Sequence, residues 1–157
     1  MGAYFVMSFR FDKSIASDFG LVPINESTAI DPKDGSIWLK TELFDFGWGK
    51  ENGFYKAPLP CFKKLFDIAL NGDERDDVYG SAAIILDRFP YELLCKCEQL
   101  MNGKLNKKEM IRLIDLFDLE KPINRCASVH KAYEQVKNDY DRWKRIAEIA
   151  NAYPVLP

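Results

Sequence analysis

The chain has 157 residues, 47% of them apolar and 29% charged, with a net charge of −2 and a pI near 5.5. That composition excludes a disordered chain and lacks the basic footprint of a nucleic-acid binder. No apolar run approaches the ~20 residues that a bilayer span needs. The length suits a single domain, 1–157, which buries roughly 70% of the surface of its unfolded chain without staples. We expect a strand- and loop-rich part, 1–60, and a helical part, 61–157.

The opening "MGAYFVMSFRF" has no basic n-region, long apolar stretch or cleavage site. Gly2 is not a myristoylation signal, because Val6 stands where Ser or Thr belongs. Met7 is a candidate for the natural start, which would make the first six residues an alternative start or an added remnant. A cytoplasmic protein is expected, with Cys61, Cys95, Cys97 and Cys126 as reduced thiols.

"YFVMSFRF" alternates as a strand, with Phe5, Met7, Phe9 and Phe11 on one face. The segment from Asp12 to Gly35 is turn-rich and predicts little regular structure beyond a helical turn near Ser14–Phe19. "SIWLKTELFDF" alternates again. Asn52-Gly53 suits a tight turn, giving a hairpin whose second arm includes Phe54 and Tyr55.

After Pro60 the apolar period becomes helical. Phe62, Leu65, Phe66, Ala69 and Leu70 make one stripe, and Asn71-Gly72 ends it. Asp73 is expected to cap a second helix with Val78, Ala82, Ile85, Leu86 and Phe89 on its face. Pro90 opens a third, carrying Leu93, Leu94, Cys97, Leu100 and Met101. Asn106 and Glu109 form a capping box before Met110, Leu113, Ile114 and Phe117. A last helix is predicted over about Ala127–Asn151, with a seam of Val129, Ala132, Val136, Tyr140, Trp143, Ala147 and Ala150 and a charged outer face. The fold class is α+β, predominantly α: N-terminal antiparallel strands packed with an array of about five helices. HEAT-like hairpins are one arrangement these helices allow.

No nucleotide-binding, zincin, serine-hydrolase or EF-hand motif occurs. Cys95 and Cys97 diverge by about 200° on a helix, so one metal cannot use both. Cys126 and the single histidine, His130, stand four apart, the spacing of one helical face and the minimum for thiol catalysis. No sequence signature activates them. Catalytic, cofactor and metal residues are therefore expected to be none.

Asp73, Glu74, Asp76 and Asp77 form the densest acidic run, in a stretch (61–103) of net charge −3, whereas 104–157 carries +3. This run is a candidate docking patch for a basic protein partner. Trp48, between Gly47 and Gly49, and Tyr55 are candidate aromatic anchors.

The acidic run, the aromatic-rich strand half and helix pairs such as "GSAAIILDRFPYELLCKCEQLM" together resemble, in general style, the immunity proteins of bacterial toxin–immunity systems. That resemblance implies a non-catalytic protein that neutralises one cognate toxin, often a basic nuclease domain, by binding it. It assigns no role to any residue. The other classes considered are an enzyme of a kind the motifs do not reveal and a helical adaptor or regulator. The adaptor would use the charged face of the last helix, including Lys137, Lys144 and Arg145.

Overall fold

A computed structural model of the chain describes residues 2–7, 15–45, 50–126 and 128–153. The fold is α+β: an N-terminal antiparallel sheet precedes a run of helices. Among the described residues there are five strands, β1 (Phe5–Met7), β2 (Val22–Pro23), β3 (Thr28–Ile30), β4 (Ile37–Asp45) and β5 (Lys50–Lys56). The helices are α1 (Phe62–Asn71), α2 (Arg75–Arg88), α3 (Pro90–Leu100), α4 (Lys107–Phe117) and α5 (Tyr133–Ala152). Packing divides the chain into two compact units, Met1–Ile84 and Ile85–Pro157. The division falls inside α2, whereas the change of sequence period falls at Pro60.

In the first unit the strand order is β1-β5-β4-β3-β2. Opposed residues in an antiparallel ladder share a face. Ala29 opposite Trp38, and Val6 opposite Phe54, therefore point the same way. With Ala16 and Leu21 they form one buried cluster, and Phe19 meets Phe54 edge-on at a centroid distance of 6.2 Å. The 3-10 turn Ala16–Phe19 covers this face and ends at Gly20 in a left-handed conformation (φ 74°). Trp38 satisfies its indole N–H by donating to Ser36 Oγ at 3.0 Å.

The turn-rich segment holds more structure than expected. Val22 pairs with Ile30 and Ile30 with Ile37, so two short strands extend the sheet where Pro23 and a succession of turns concealed them. Asn52-Gly53 is not the hairpin turn: both lie within β5, Asn52 opposite Glu42 and Gly53 opposite Thr41. Glycine is needed there for space. A Cβ on Gly53 would sit 2.5 Å from both Leu43 Cδ1 and the Val6 carbonyl oxygen. Leu43 is the extra residue where the register shifts between Glu42 and Phe44. Phe9 and Phe11 lie outside the described residues. Val6 is as fully buried as Phe5, so β1 is enclosed on both faces.

The helices follow their stripes. Leu65, Phe66, Ala69 and Leu70 are buried in α1, and Met110, Leu113, Ile114 and Phe117 in α4. The Asn106–Glu109 capping box forms: the Glu109 N–H donates to Asn106 Oδ1 and the Asn106 N–H to Glu109 Oε2, both at 2.9 Å. The second helix starts at Arg75, so Asp73 stands too far upstream to cap it. The last helix starts at Tyr133 rather than Ala127. His130, at φ 65°, holds a left-handed conformation that no α-helix can pass through. Its buried stripe is Asp139, Trp143, Ile146, Ala147 and Ala150, so the expected seam holds only from Trp143 onward.

Gly80 in α2 is set by contact with β1, since a Cβ there would lie 2.4 Å from Cγ of Phe5. Gly80→Ala gains up to ~1 kcal/mol of helix propensity but forces a buried ring aside at a cost of about 1–3 kcal/mol. Overpacking wins, and the variant is expected to show a lower urea midpoint at an unchanged m-value.

Candidate functional site

The acidic run does not form one surface. Asp73 and Glu74 are exposed and Asp76 is half-buried, but Asp77 is only 6% exposed. The Asp77 carboxylate accepts backbone N–H groups from Ala3 at 2.8 Å, Tyr4 at 2.8 Å and Phe5 at 2.9 Å. Asp76 Oδ2 accepts the Met7 N–H at 3.4 Å. Burial pushes the Asp76 carboxyl above its ordinary range, opposed by that N–H. Both acids also stand in the first turn of α2, at the positive end of its dipole. Asp77 therefore cannot take part in a docking patch, and Asp76 is partly committed to the strand.

Trp48 lies outside the described residues. Tyr55 lies in β5, the strand expected to carry it, and is half-buried inside the sheet opposite Leu39 and Phe5.

Cys126 and His130 do not share a helical face, because the helix begins after both. Cys126 is buried while His130 is exposed. Burial raises the Cys126 thiol pKa, so the sulfur is held in the unreactive thiol form. Cys97 is buried and pushed up to about 12 by desolvation. Cys95 faces outward on the opposite side of α3. Among the described residues no group of His, Cys, Asp and Glu has the arrangement of a metal site, and no helix is long and apolar enough to cross a membrane.

Helical spacing brings a polar cluster together in the second unit. Tyr91, Cys95 and Glu98 stand at i, i+4 and i+7 on α3, and Arg142 of α5 reaches all three. Its guanidinium donates to Glu98 Oε1 at 2.8 Å and Oε2 at 2.6 Å, to Tyr91 Oη at 2.9 Å and to Cys95 Sγ at 3.5 Å. It also lies 5.2 Å from the centroid of the Tyr91 ring. The two-pronged ion pair holds Glu98 below the usual carboxylate range and Arg142 above its own. Nearby, Lys131 donates to the buried Asp139 at 2.8 Å, which raises the lysine's pKa and ties the loop before α5 to the helix. Arg125 lies 4.7 Å from the Trp143 ring centroid and donates to the carbonyls of Phe117, Asp118 and Ile123, closing the end of α4. Arg142, Lys131 and Arg125 each have a bracing partner.

The fold leaves aromatic surface on α5 uncovered. Tyr133 is 79% exposed and Tyr140, two turns on, 41%. Ala132, expected in the seam, is exposed, and Val129 is 73% exposed. Lys137 and Lys144 share the line of the two tyrosines at i+4 and i+11, and Lys137 pairs with Asp141 at 3.1 Å. Spacing in the sequence shows that these residues align. It does not show that the line stays in solvent.

No family model, curated protein or solved structure matches the chain.

Two outcomes are expected. Asp77→Ala orphans three backbone donors at about 1–3 kcal/mol each, so chemical denaturation should show a loss of about 3 kcal/mol or more. Asp73→Ala should stay within ~0.5 kcal/mol. For the Arg142 pair, Glu98 has a depressed folded pKa, so its contribution is present above the unfolded value of ~4.3 and is lost as pH falls through the lower folded value. Wild type is expected to exceed Glu98→Gln by about 0.5–1 kcal/mol at pH 7, a size suited to a partly exposed pair. The gap should close on acidification, as read by urea titrations at several pH values.

Proposed function

We propose that this chain is a non-catalytic protein-binding protein that neutralises a cognate toxin domain by contact, in the manner of immunity proteins. One observation carries the binding reading: the tyrosine line of α5, Tyr133 and Tyr140, which the fold leaves in solvent. Tyrosine offers large contact area at low entropic cost and is enriched at the energetic centres of interfaces. Cys126, the one thiol near His130 in sequence, is buried, and Arg142 and Glu98 are committed to each other.

The proposed contact is drawn on α5 rather than on the acidic run, because Asp77 is buried and Asp76 half-buried. Of that run, Asp73 and Glu74 remain exposed for a basic rim, where single charges act on association rate more than on affinity. The same line on α5 also favours a second reading, an adaptor or regulator that docks through its last helix. The partner's identity separates the two: a toxic domain supports the first, a signalling or assembly protein the second.

Tyr133→Ala with Tyr140→Ala leaves the buried stripe of α5 intact, so the fold should persist by circular dichroism. Capture of the stoichiometric partner from source cells is expected to fall at least tenfold against wild type. Asp73→Lys with Glu74→Lys should slow association severalfold at low salt. Undiminished capture by the double tyrosine variant removes α5 from the interface.

A further inference from the structure

The exposed line of α5 is complementary to itself. Its residues are Tyr133, Lys137, Tyr140 and Lys144, each of them exposed. At ~100° per residue they fall within about 60° of arc, so they make one stripe. Their spacing is four, three, four, which is the same read from either end. The residue types are not the same from either end, because tyrosine and lysine exchange places.

Two copies of the helix laid antiparallel therefore set Tyr133 against Lys144 of the other copy, and Lys137 against its Tyr140. All four pairs form in a single register. An ammonium over the face of a tyrosine ring is attracted by it. Parallel pairing instead sets tyrosine on tyrosine and lysine on lysine, where like charges repel. The flank of the stripe carries the same preference. Glu134 and Arg145 are exposed and lie on one side of it, about 100° and 120° round from Tyr133. A two-fold axis across the stripe sets that flank against its own copy. The register that pairs Tyr133 with Lys144 puts Glu134 within two positions of Arg145 of the other copy, inside the reach of both side chains.

The fold leaves this contact open. The Lys137–Asp141 pair is exposed at both ends, and an exposed pair is held weakly enough to rearrange. The buried stripe of Asp139, Trp143, Ile146, Ala147 and Ala150 faces into the unit and is left intact.

We propose that this line is a self-association surface on which a second copy of the chain docks its own α5, antiparallel and two-fold symmetric. The occupant follows from the charge order and the palindromic spacing, which an inverted copy of the same helix matches at every position. From Tyr133 to Lys144 the line runs about 16 Å, which puts the contact at the small end of interfaces. The dimer is therefore weak, populated as protein concentration approaches ~0.1–1 mM. The inference rests on the same exposed line as the proposed partner contact, and it makes a copy and a partner alternative occupants.

Sedimentation velocity on the purified chain, from ~10 μM to ~1 mM, reads self-association with no partner present. Reductant keeps the exposed Cys61 and Cys95 from linking copies. Wild type is expected to pass from monomer towards dimer across that range, and Tyr133→Ala with Tyr140→Ala to stay monomeric. Glu134→Lys alone sets like charges against Arg145 twice per dimer. Arg145→Glu alone sets like charges against Glu134 twice. Each should dimerise at least fivefold more weakly than wild type. Mixed in equal amounts, the two variants restore opposite charges at both contacts, and a heterodimer within threefold of wild-type affinity is expected. The substituted positions are exposed, and circular dichroism checks that helix content persists. A wild-type chain that stays monomeric at the highest concentration overturns the inference and leaves the partner contact standing. A dimer that survives the tyrosine variant, or that the mixture fails to restore, overturns the antiparallel α5 surface as its seat. A dimer with the expected pattern in a chain that captures no partner supports the inference and sinks the partner reading alone.

Discussion

A carboxylate taken out of water must be surrounded by donors, and a strand at the edge of a sheet must find acceptors for the N–H groups that point away from its neighbour. Asp77 meets both needs at once. Its two oxygens hold three consecutive N–H groups of a segment more than 70 positions away in sequence, and Asp76 holds a fourth. Much of the first unit follows from this clasp. Phe5 is set down on α2, which requires Gly80. Val6 is turned into the core beside Phe54, which crowds β5 and requires Gly53. Residues 3–7 are thus tied to α2 as well as, through Phe5–Met7, to the sheet.

The second unit uses ionic groups in the same way, as braces with satisfied geometry. Arg142 spans two turns of α3, Lys131 neutralises the buried Asp139, and Arg125 gathers the carbonyls at the end of α4 while covering Trp143. A buried or half-buried charge is tolerable only when its partner and its remaining hydrogen bonds are supplied. These partners commit Arg142, Lys131 and Arg125 to the fold. On α5 the two tyrosines stay accessible among exposed charged residues such as Lys144, Arg145 and Glu148, and they supply the anchoring side chains of the proposed contact.

The tyrosine line of α5 is aromatic surface that the unit makes no use of. The contacts of residues 2–7 are by contrast fully used within the fold: the Asp77 clasp and the Phe5 ring on Gly80 tie the first strand to α2.

The sequence by itself determined the class and most of the helices. Apolar residues three and four apart are sufficient for α1 and α4, because a helix needs only one continuous stripe and local caps such as Asn106 and Glu109. It also placed Cys97 inward and Cys95 outward, since that depends only on rotation along a helix. Tertiary structure decided the rest. The role of Asp77 was invisible because a helix-start aspartate has a sufficient local explanation, while its three donors lie far away in sequence. Asn52-Gly53 has the composition of a turn, but Gly53 answers to Leu43 and the Val6 carbonyl, contacts that exist only once the sheet is paired. The seam of α5 was legible as a pattern, yet whether Tyr140 is covered depends on what packs against the helix, and a left-handed residue at His130 removed the first turns that the pattern included. Local periodicity is encoded residue by residue. Burial, close approach and the pairing of charges belong to the assembled chain, because each is a relation between segments that only folding brings together.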